Sequence, residues 1–167
     1  MVEFRPVCLD EDRDFIHEMY LVRKFEGEPE AERRRGFAAF GAREDQTSLF
    51  ALEFNAIEAS LQDSRTIADV IVVDGVNAGF VWVTFGKIPG RYTDFAELNS
   101  LALRLRYQRQ GLGRVTMAHV EKLAAERGAE SVRSTGSAPS EAVRRFHAAA
   151  GFEPIQTVFE KRLTQPA

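Results

Sequence analysis

The chain of 167 residues has a single cysteine, Cys8, so no internal disulfide can form; this is compatible with a reducing compartment, and a cytoplasmic location is the expectation. Only three histidines are present, and no Cys/His group stands at metal-ligand spacing, so no metal is expected. No apolar run approaches the roughly 18–20 residues that a membrane-spanning helix needs, and Glu3 and Arg5 interrupt the start of the chain, so neither a signal peptide nor a membrane partner is expected. Basic residues are not in excess: 22 Lys and Arg stand against 25 Asp and Glu, and the net charge of -3 argues against a general nucleic-acid partner. Repeats and low-complexity linkers are also missing. The expectation is one domain over residues 1–167, long enough to bury a core without staples.

What is present is a change of hydrophobic period along the chain. Glu3–Cys8 reads as a short strand. A helix starts within Asp10–Asp14, with Phe15, Ile16, Met19 and Tyr20 at helical spacing. Lys24–Gln46 is dense in charge and punctuated by Gly27, Pro29, Gly36 and Gly41, which suggests a loop with a short helix. From Thr47, the residues Phe50, Phe54, Ile57 and Leu61 recur every three or four positions, as on an amphipathic helix. Thr66–Val73 and Asn77–Phe85 are β-branched and aromatic, and Asp74-Gly75 between them is a hairpin signal. Gly86–Asp94 reads as a loop and Ala96–Leu105 as a strand. A helix then runs from Gly113 to about Arg127, stopped by Gly128. Glu130–Thr135 is a strand, Ser140 caps a helix that Gly151 closes, and Pro154–Leu163 holds a last strand. The order predicts an α/β (α+β) protein with a mixed, mostly antiparallel sheet and helices on its faces.

The segment QRQGLGRV, Gln108–Val115, joins a strand to a helix through two glycines. The first amides of a helix have no intrahelical partner, the helix dipole adds partial positive charge, and glycine lets a ligand approach the backbone. Arg104, Arg106, Arg109 and Arg114 surround the turn, with no acidic residue between Arg104 and Arg114. A bound anion, phosphate or pyrophosphate, is the expectation. A P-loop would place Lys-Ser/Thr after the glycines, where Arg114-Val115 stands. A dinucleotide fingerprint would place a small residue at Thr116 and a parallel strand before the turn. A plain glycine turn with solvated arginines is the remaining reading of these residues alone.

Gln108-Arg109-Gln110-Gly111-Leu112-Gly113 matches Q/R-x-x-G-x-G/A, and the stretch AELNSLALRLRYQRQGLGRVTMAHVEKLAAERGA resembles the strand–loop–helix core of the Gcn5-related N-acetyltransferase (GNAT) superfamily. Downstream, SEAVRRFHAAAGFEP is similar to that family's second signature, N-x-x-A-x-x-F-Y-x-x-x-G-F, and EFRPVCLDEDRDFI to its first strand and helix. The resemblance implies a GNAT fold splayed at its central strands and acetyl-coenzyme A as co-substrate. It implies that the pyrophosphate rests on Gln108, Arg109, Gln110, Gly111, Leu112, Gly113 and Arg114, and that the pantetheine arm runs beside Leu101, Ala102 and Leu103. Ser140 stands where the family has asparagine, a pantetheine contact. The implied reaction is N-acetylation of a primary amine on a small molecule or peptide, and a homodimer is among the arrangements the resemblance allows.

Freeing an amine for acyl transfer needs a base. Glu97 matches the position of the general-base glutamate in the histone-acetyltransferase branch; the alternative is a carboxylate at the wet end of a strand. Period-two alternation places Glu97, Asn99 and Leu101 on one face. His147 stands where the family carries a tyrosine that protonates the thiolate, and imidazole can take that role; otherwise His147 is a packed residue and the thiolate leaves without a dedicated acid. His119 reads as a solvated face residue, Cys8 as core packing, and Trp82 and Phe85 as core. Tyr92 and Asp94 are candidate contacts for the acceptor, and Lys24–Asp63 is the stretch expected to shape its pocket. Two rivals stay open: a non-catalytic acyl-coenzyme A sensor of the same fold, and a nucleotide-dependent enzyme with a Rossmann-like sheet.

Overall fold

In the computed structural model, residues 1–44, 49–87, 94–135 and 141–155 are described. Strand β1 (Val2–Pro6) leads into α1 (Leu9–Gly27), α2 (Glu30–Arg33), α3 (Phe37–Glu44) and α4 (Leu49–Ser60). Then come β2 (Ile67–Val73), β3 (Val76–Lys87), β4 (Asp94–Leu103), α5 (Leu112–Glu126), β5 (Ser131–Ser134) and α6 (Glu141–Ala149). The sheet order is β1-β2-β3-β4-β5; the first three pairings are antiparallel, and β4 and β5 run parallel. The Asp74-Gly75 signal holds, both residues having positive φ (49° and 78°) as a tight hairpin of this twist requires. β4, before the glycine turn, pairs antiparallel with β3 and is parallel only to β5, so this sheet is not the parallel doubly wound sheet of the Rossmann-like reading. Thr47, Tyr92, Ser140 and the stretch carrying Val158 and Phe159 lie outside the described residues.

Apolar side chains on the two faces of the sheet bury separate helices. Phe15, Ile16 and Met19 of α1 and Phe54 and Ile57 of α4 pack on Val70, Val72, Phe80 and Ala102. Met117, Val120 and Ala124 of α5 pack on the opposite face against Ile67, Val81, Val83 and Leu98, joined by Phe146 of α6. Trp82 and Phe85 fall into these two clusters, as core residues. The stretch expected to be a loop with a short helix holds more helix than that: α1 runs on to Gly27, and α2 and α3 follow. Aromatic packing explains the difference, since Phe25 contacts Phe37 and Phe40 at centroid distances of 5.4 and 5.5 Å. Arg43 also pairs with Glu28 and Glu32 at 3.2 Å.

Two departures from simple periodicity shape β4. A bulge inserts Asn99 between the pairs Val83↔Leu98 and Trp82↔Ser100, so alternation restarts there. The expected shared face of Glu97, Asn99 and Leu101 is therefore corrected: Asn99 donates to Thr84 Oγ1 at 2.8 Å, whereas Leu101 packs with Val81 and Leu98 on the α5 side. In addition, β5 pairs with β4 only from Phe95 to Leu98, so among the described residues no strand pairs with Asn99–Leu103 on that side.

Cys8 is exposed rather than packed in the core, because β1 has ended and its carbonyl caps α1, accepting from Glu11 and Asp12 N–H at 3.1 and 2.7 Å. Asp12, 3% exposed, reaches back to Cys8 N–H at 2.8 Å and takes both guanidinium arms of Arg5 at 2.6 and 2.7 Å. The Arg5 bonds first, then the Cys8 amide, hold its carboxyl below the usual 3.8 against the opposing effect of burial. The stabilisation is therefore full above pH 3.8 and is lost as the pH falls through the lower value of the folded state. Asp12→Ala is expected to cost about 1.5–3 kcal/mol near neutrality, a typical worth for hydrogen bonds to a charged group. Denaturant titrations should show the gap to the unmodified protein closing as the solution is acidified below pH 3.8.

Candidate active site

At the end of β4 the chain makes one short turn of 3-10 helix, Leu105–Tyr107, and then reverses into α5. Arg109 and Gly111 take positive φ values of 60° and 82°, and Gly111 is the N-cap of α5. A Cβ at Gly111 would meet nothing within 4 Å, so conformation, not space, selects glycine there and leaves open room above the backbone. Gly113 is small for another reason: a Cβ would lie 3.1 Å from Phe146 Cε2 of α6. Leu112 between them is buried against Ile71 and Ala78 and anchors the helix start. Two side chains brace the turn, Gln108 donating to Leu103 O at 2.9 Å and Gln110 to Arg106 O at 2.7 Å. Among the described residues the N–H groups of residues 109–113 donate to no protein acceptor. Unpartnered amides at the positive end of a helix dipole favour an anion.

The arginines around the turn sort into two kinds. Arg106, Arg109 and Arg114 are exposed beside it. Arg104, which the sequence places in the same cluster, is committed elsewhere: Nε and Nη2 donate to Glu18 at 2.7 and 2.6 Å, and Nη1 to Asn77 O at 2.6 Å. Its guanidinium also lies 4.9 Å from the Phe15 ring centroid. Arg104 thus ties β4 to α1 and does not serve the anion. A pocket of about 410 Å³ opens beside it, lined by Glu18, Val22, Phe37, Arg104, Leu105 and Arg106.

Upstream, the open stretch of β4 offers main-chain groups. Arg104 N–H bonds Ala78 O at 2.8 Å, so by antiparallel alternation Ala102 and Arg104 turn their backbone groups to β3, and Leu101 and Leu103 turn theirs to the opposite side, where no described strand pairs with them. Of the three residues expected to line the pantetheine arm, Leu101 and Leu103 therefore present backbone; Ala102 is buried in the α1-side core. Glu97 stands where β4 and β5 still pair, with one carboxylate oxygen 2.6 Å from the Thr135 hydroxyl that donates to it. His147 lies in α6 with Nδ1 2.8 Å from Val143 O; a carbonyl only accepts, so Nδ1 carries the proton. Its Nε2 is buried without a hydrogen-bond partner, and the ring packs edge-on to Phe146 and Phe152 at 5.5 and 5.0 Å.

Some placements have no signal in the sequence. His119, read as a solvated residue, is stacked on Phe4 at 3.8 Å, and Nε2 lies 2.8 Å from Asp69 Oδ2, so it links α5 to the sheet. Glu26, near the end of α1, is half-buried against the glycine turn, hydrogen-bonded to Gln108 with Arg33 and Arg109 nearby.

The described geometry is a helix start with unpartnered amides, next to a strand whose outer side carries no described partner. The model of the Acetyltransferase (GNAT) family matches residues 13–152. The chain belongs to this family, whose chemistry is acetyl transfer. Among solved structures, a GCN5-related N-acetyltransferase from Ralstonia eutropha JMP134 is 16% identical, with a TM-score of 0.71 over 97% of this chain and 99% of that one. A predicted acetyltransferase from Clostridium acetobutylicum, solved with acetyl-CoA, is 13% identical with a TM-score of 0.70 over 97% and 96% of the two chains. An aminoglycoside acetyltransferase from an uncultured soil metagenomic sample, solved with sisomicin, is 16% identical with a TM-score of 0.65 over 98% and 97%. At such identities the likeness establishes the fold. No curated protein matches the chain.

Burial, the largest effect, pushes the Glu26 carboxyl above its ordinary 4.5, and the Gln108 hydrogen bond and the charges of Arg33 and Arg109 offset it only in part. An acid whose value is raised on folding destabilises the fold wherever it is ionised. Glu26→Gln is therefore expected to be more stable than the unmodified protein near neutrality, with the gain disappearing below pH 4.5; thermal melts across that range check it.

Proposed function

We propose that the chain is an N-acetyltransferase that moves an acetyl group from acetyl-coenzyme A to a primary amine of a small molecule or peptide by direct attack in a ternary complex. The observation that carries this reading is the run of unpartnered amides at residues 109–113, set directly after the strand whose outer side carries no described partner. The residues present fit the ligand. The amides of residues 109–113 would receive the pyrophosphate, with Arg109 and Arg114 supplying charge. The Leu103 N–H and the Leu101 carbonyl would pair with the pantetheine amides, the Leu103 carbonyl being taken by Gln108.

Acetyl-coenzyme A supplies a thioester: the amine nitrogen forms a bond to its carbonyl carbon, the C–S bond breaks, and sulfur leaves as thiolate. The Leu101 N–H, which faces away from β3 at the end of the track nearer Glu97, is suited to the developing oxyanion. Glu97 accepts the proton that the ammonium must lose, directly or through a water, with Thr135 fixing one of its oxygens. The tautomer of His147 favours a positioning role over proton donation, because its proton is spent on Val143 O. The thiolate then takes its proton from solvent.

Two substitutions test these assignments. Gly111→Asp puts a carboxylate into the open space above the turn and should raise the KM for acetyl-coenzyme A about tenfold or more, about 1.4 kcal/mol of binding; an unchanged KM removes the turn from cofactor binding. Glu97→Gln should lower kcat by about 10²-fold, the scale of general base catalysis. The loss should be deepest at acidic pH, where free amine is scarce, and a loss independent of pH makes Glu97 a bystander. Calorimetry with coenzyme A and thiol release with an amine panel separate an enzyme from a sensor, since the sensor binds without release.

A further inference from the structure

On the face of the sheet that carries Glu97, three adjacent strands stack Gly86, Phe95 and Arg133. Phe95 is opposite Gly86 in the β3–β4 register, and its ring lies over the glycine so closely that a Cβ there would meet Phe95 Cζ at 2.6 Å. The Arg133 guanidinium carbon sits 4.3 Å from the Phe95 ring centroid. Arg133 is also the register partner of Glu97 across the parallel pair β4–β5, so their Cα atoms are about 4.8 Å apart and their side chains leave the same face. These opposite charges nonetheless do not pair. Glu97 takes the Thr135 hydroxyl, and Arg133 makes no ion pair among the described residues. Its Nε is buried without a hydrogen bond.

A buried donor without an acceptor is uncommon and costly. Here the Phe95 ring lies under the guanidinium at 4.3 Å, a contact that leaves the N–H donors of an arginine free to take a planar, bidentate anion. We propose that Arg133 receives a carboxylate of the acceptor, so that the substrates are amines that also carry a carboxylate, such as amino acids or short peptides. The amine lies at Glu97 and the carboxylate at Arg133, the two ends of a zwitterion matched to two adjacent opposite charges. This rests on the reading of Glu97 as the residue that receives the amine.

The test compares amino acids and dipeptides with their own carboxamides as acceptors, in the unmodified protein and in Arg133→Gln and Arg133→Lys. Taking the acid-to-amide ratio of kcat/KM within each variant cancels the difference in amine basicity. Arg133→Gln should reduce that ratio about tenfold or more with turnover of the carboxamides within about threefold, as the loss of one charged hydrogen-bonded contact implies. Arg133→Lys should restore part of it. A ratio unchanged by Arg133→Gln, or an equal fall for acids and amides, overturns the proposal and leaves the stack a structural one. Should Arg133→Gln not fold, the unmodified protein decides: an N-acetylated amino acid should compete with the acceptor and its carboxamide should not. Equal inhibition, or none, overturns the proposal, as does turnover of multiply cationic sisomicin above every carboxylate-bearing amine. Calorimetry with coenzyme A is run alongside. If coenzyme A does not bind, the acetyltransferase reading fails; if it binds and the acid and amide acceptors are equivalent, only the carboxylate site fails.

Discussion

The end of β4–β5 pairing at Leu98 is the constraint on which the site depends. Inside a sheet, backbone donors and acceptors are consumed by the neighbouring strands; here, among the described residues, the stretch Asn99–Leu103 has a strand partner on one side only. The bulge at Asn99 resets the alternation within the same stretch, so that Leu101 packs toward α5 while its backbone faces away from β3. That edge leads straight into the glycine turn. Backbone hydrogen-bonding capacity along the strand is thus continuous with that at the head of α5, a track suited to a long ligand with amides at one end and phosphates at the other. Both ends of the track are held by packing, Leu112 against Ile71 and Ala78, and Gly113 against Phe146.

Charge is divided along this track by what each side chain is already bonded to. Arg104 is saturated by Glu18 and Asn77 and serves as a bolt between β4 and α1. Arg106, Arg109 and Arg114 are exposed beside the turn, where the helix dipole already favours an anion. Glu26 opposes that field from α1, with its ionised form penalised by burial. Further along the sheet, Glu97 and Arg133 sit as register neighbours without pairing, each held by a different partner. Side chains of one residue type therefore take opposite roles according to their contacts, a distinction that composition and local spacing do not carry.

The glycine turn and the elements around it were legible because their signals are local. Asp74-Gly75 specifies a hairpin through two positive φ angles, Gly111 specifies a left-handed N-cap, and the spacing of Met117, Val120 and Ala124 specifies a buried helix face. From Lys24 on, glycines and charges signal breaks, whereas the packing of Phe25 on Phe37 and Phe40 holds α3 against α1. Cys8 and His119 differ from their local signals for a related reason. A cysteine in a strand-like stretch suggests core, and a histidine flanked by Glu121 and Lys122 suggests solvent, until the cap of α1 exposes the first and Asp69 with Phe4 encloses the second.

The sequence by itself determined the family, most of the element order and the glycine turn before α5, since each is written in residues a few positions apart and set by backbone conformation and hydrophobic period. Only the tertiary structure decided which arginines are spent, that Glu26 lies against a turn more than eighty residues away in the chain, and that Arg133 makes no ion pair with its neighbour Glu97 among the described residues. Those facts depend on strand register and on distances between separate elements, and strand register depends on a bulge whose position the partner strand selects.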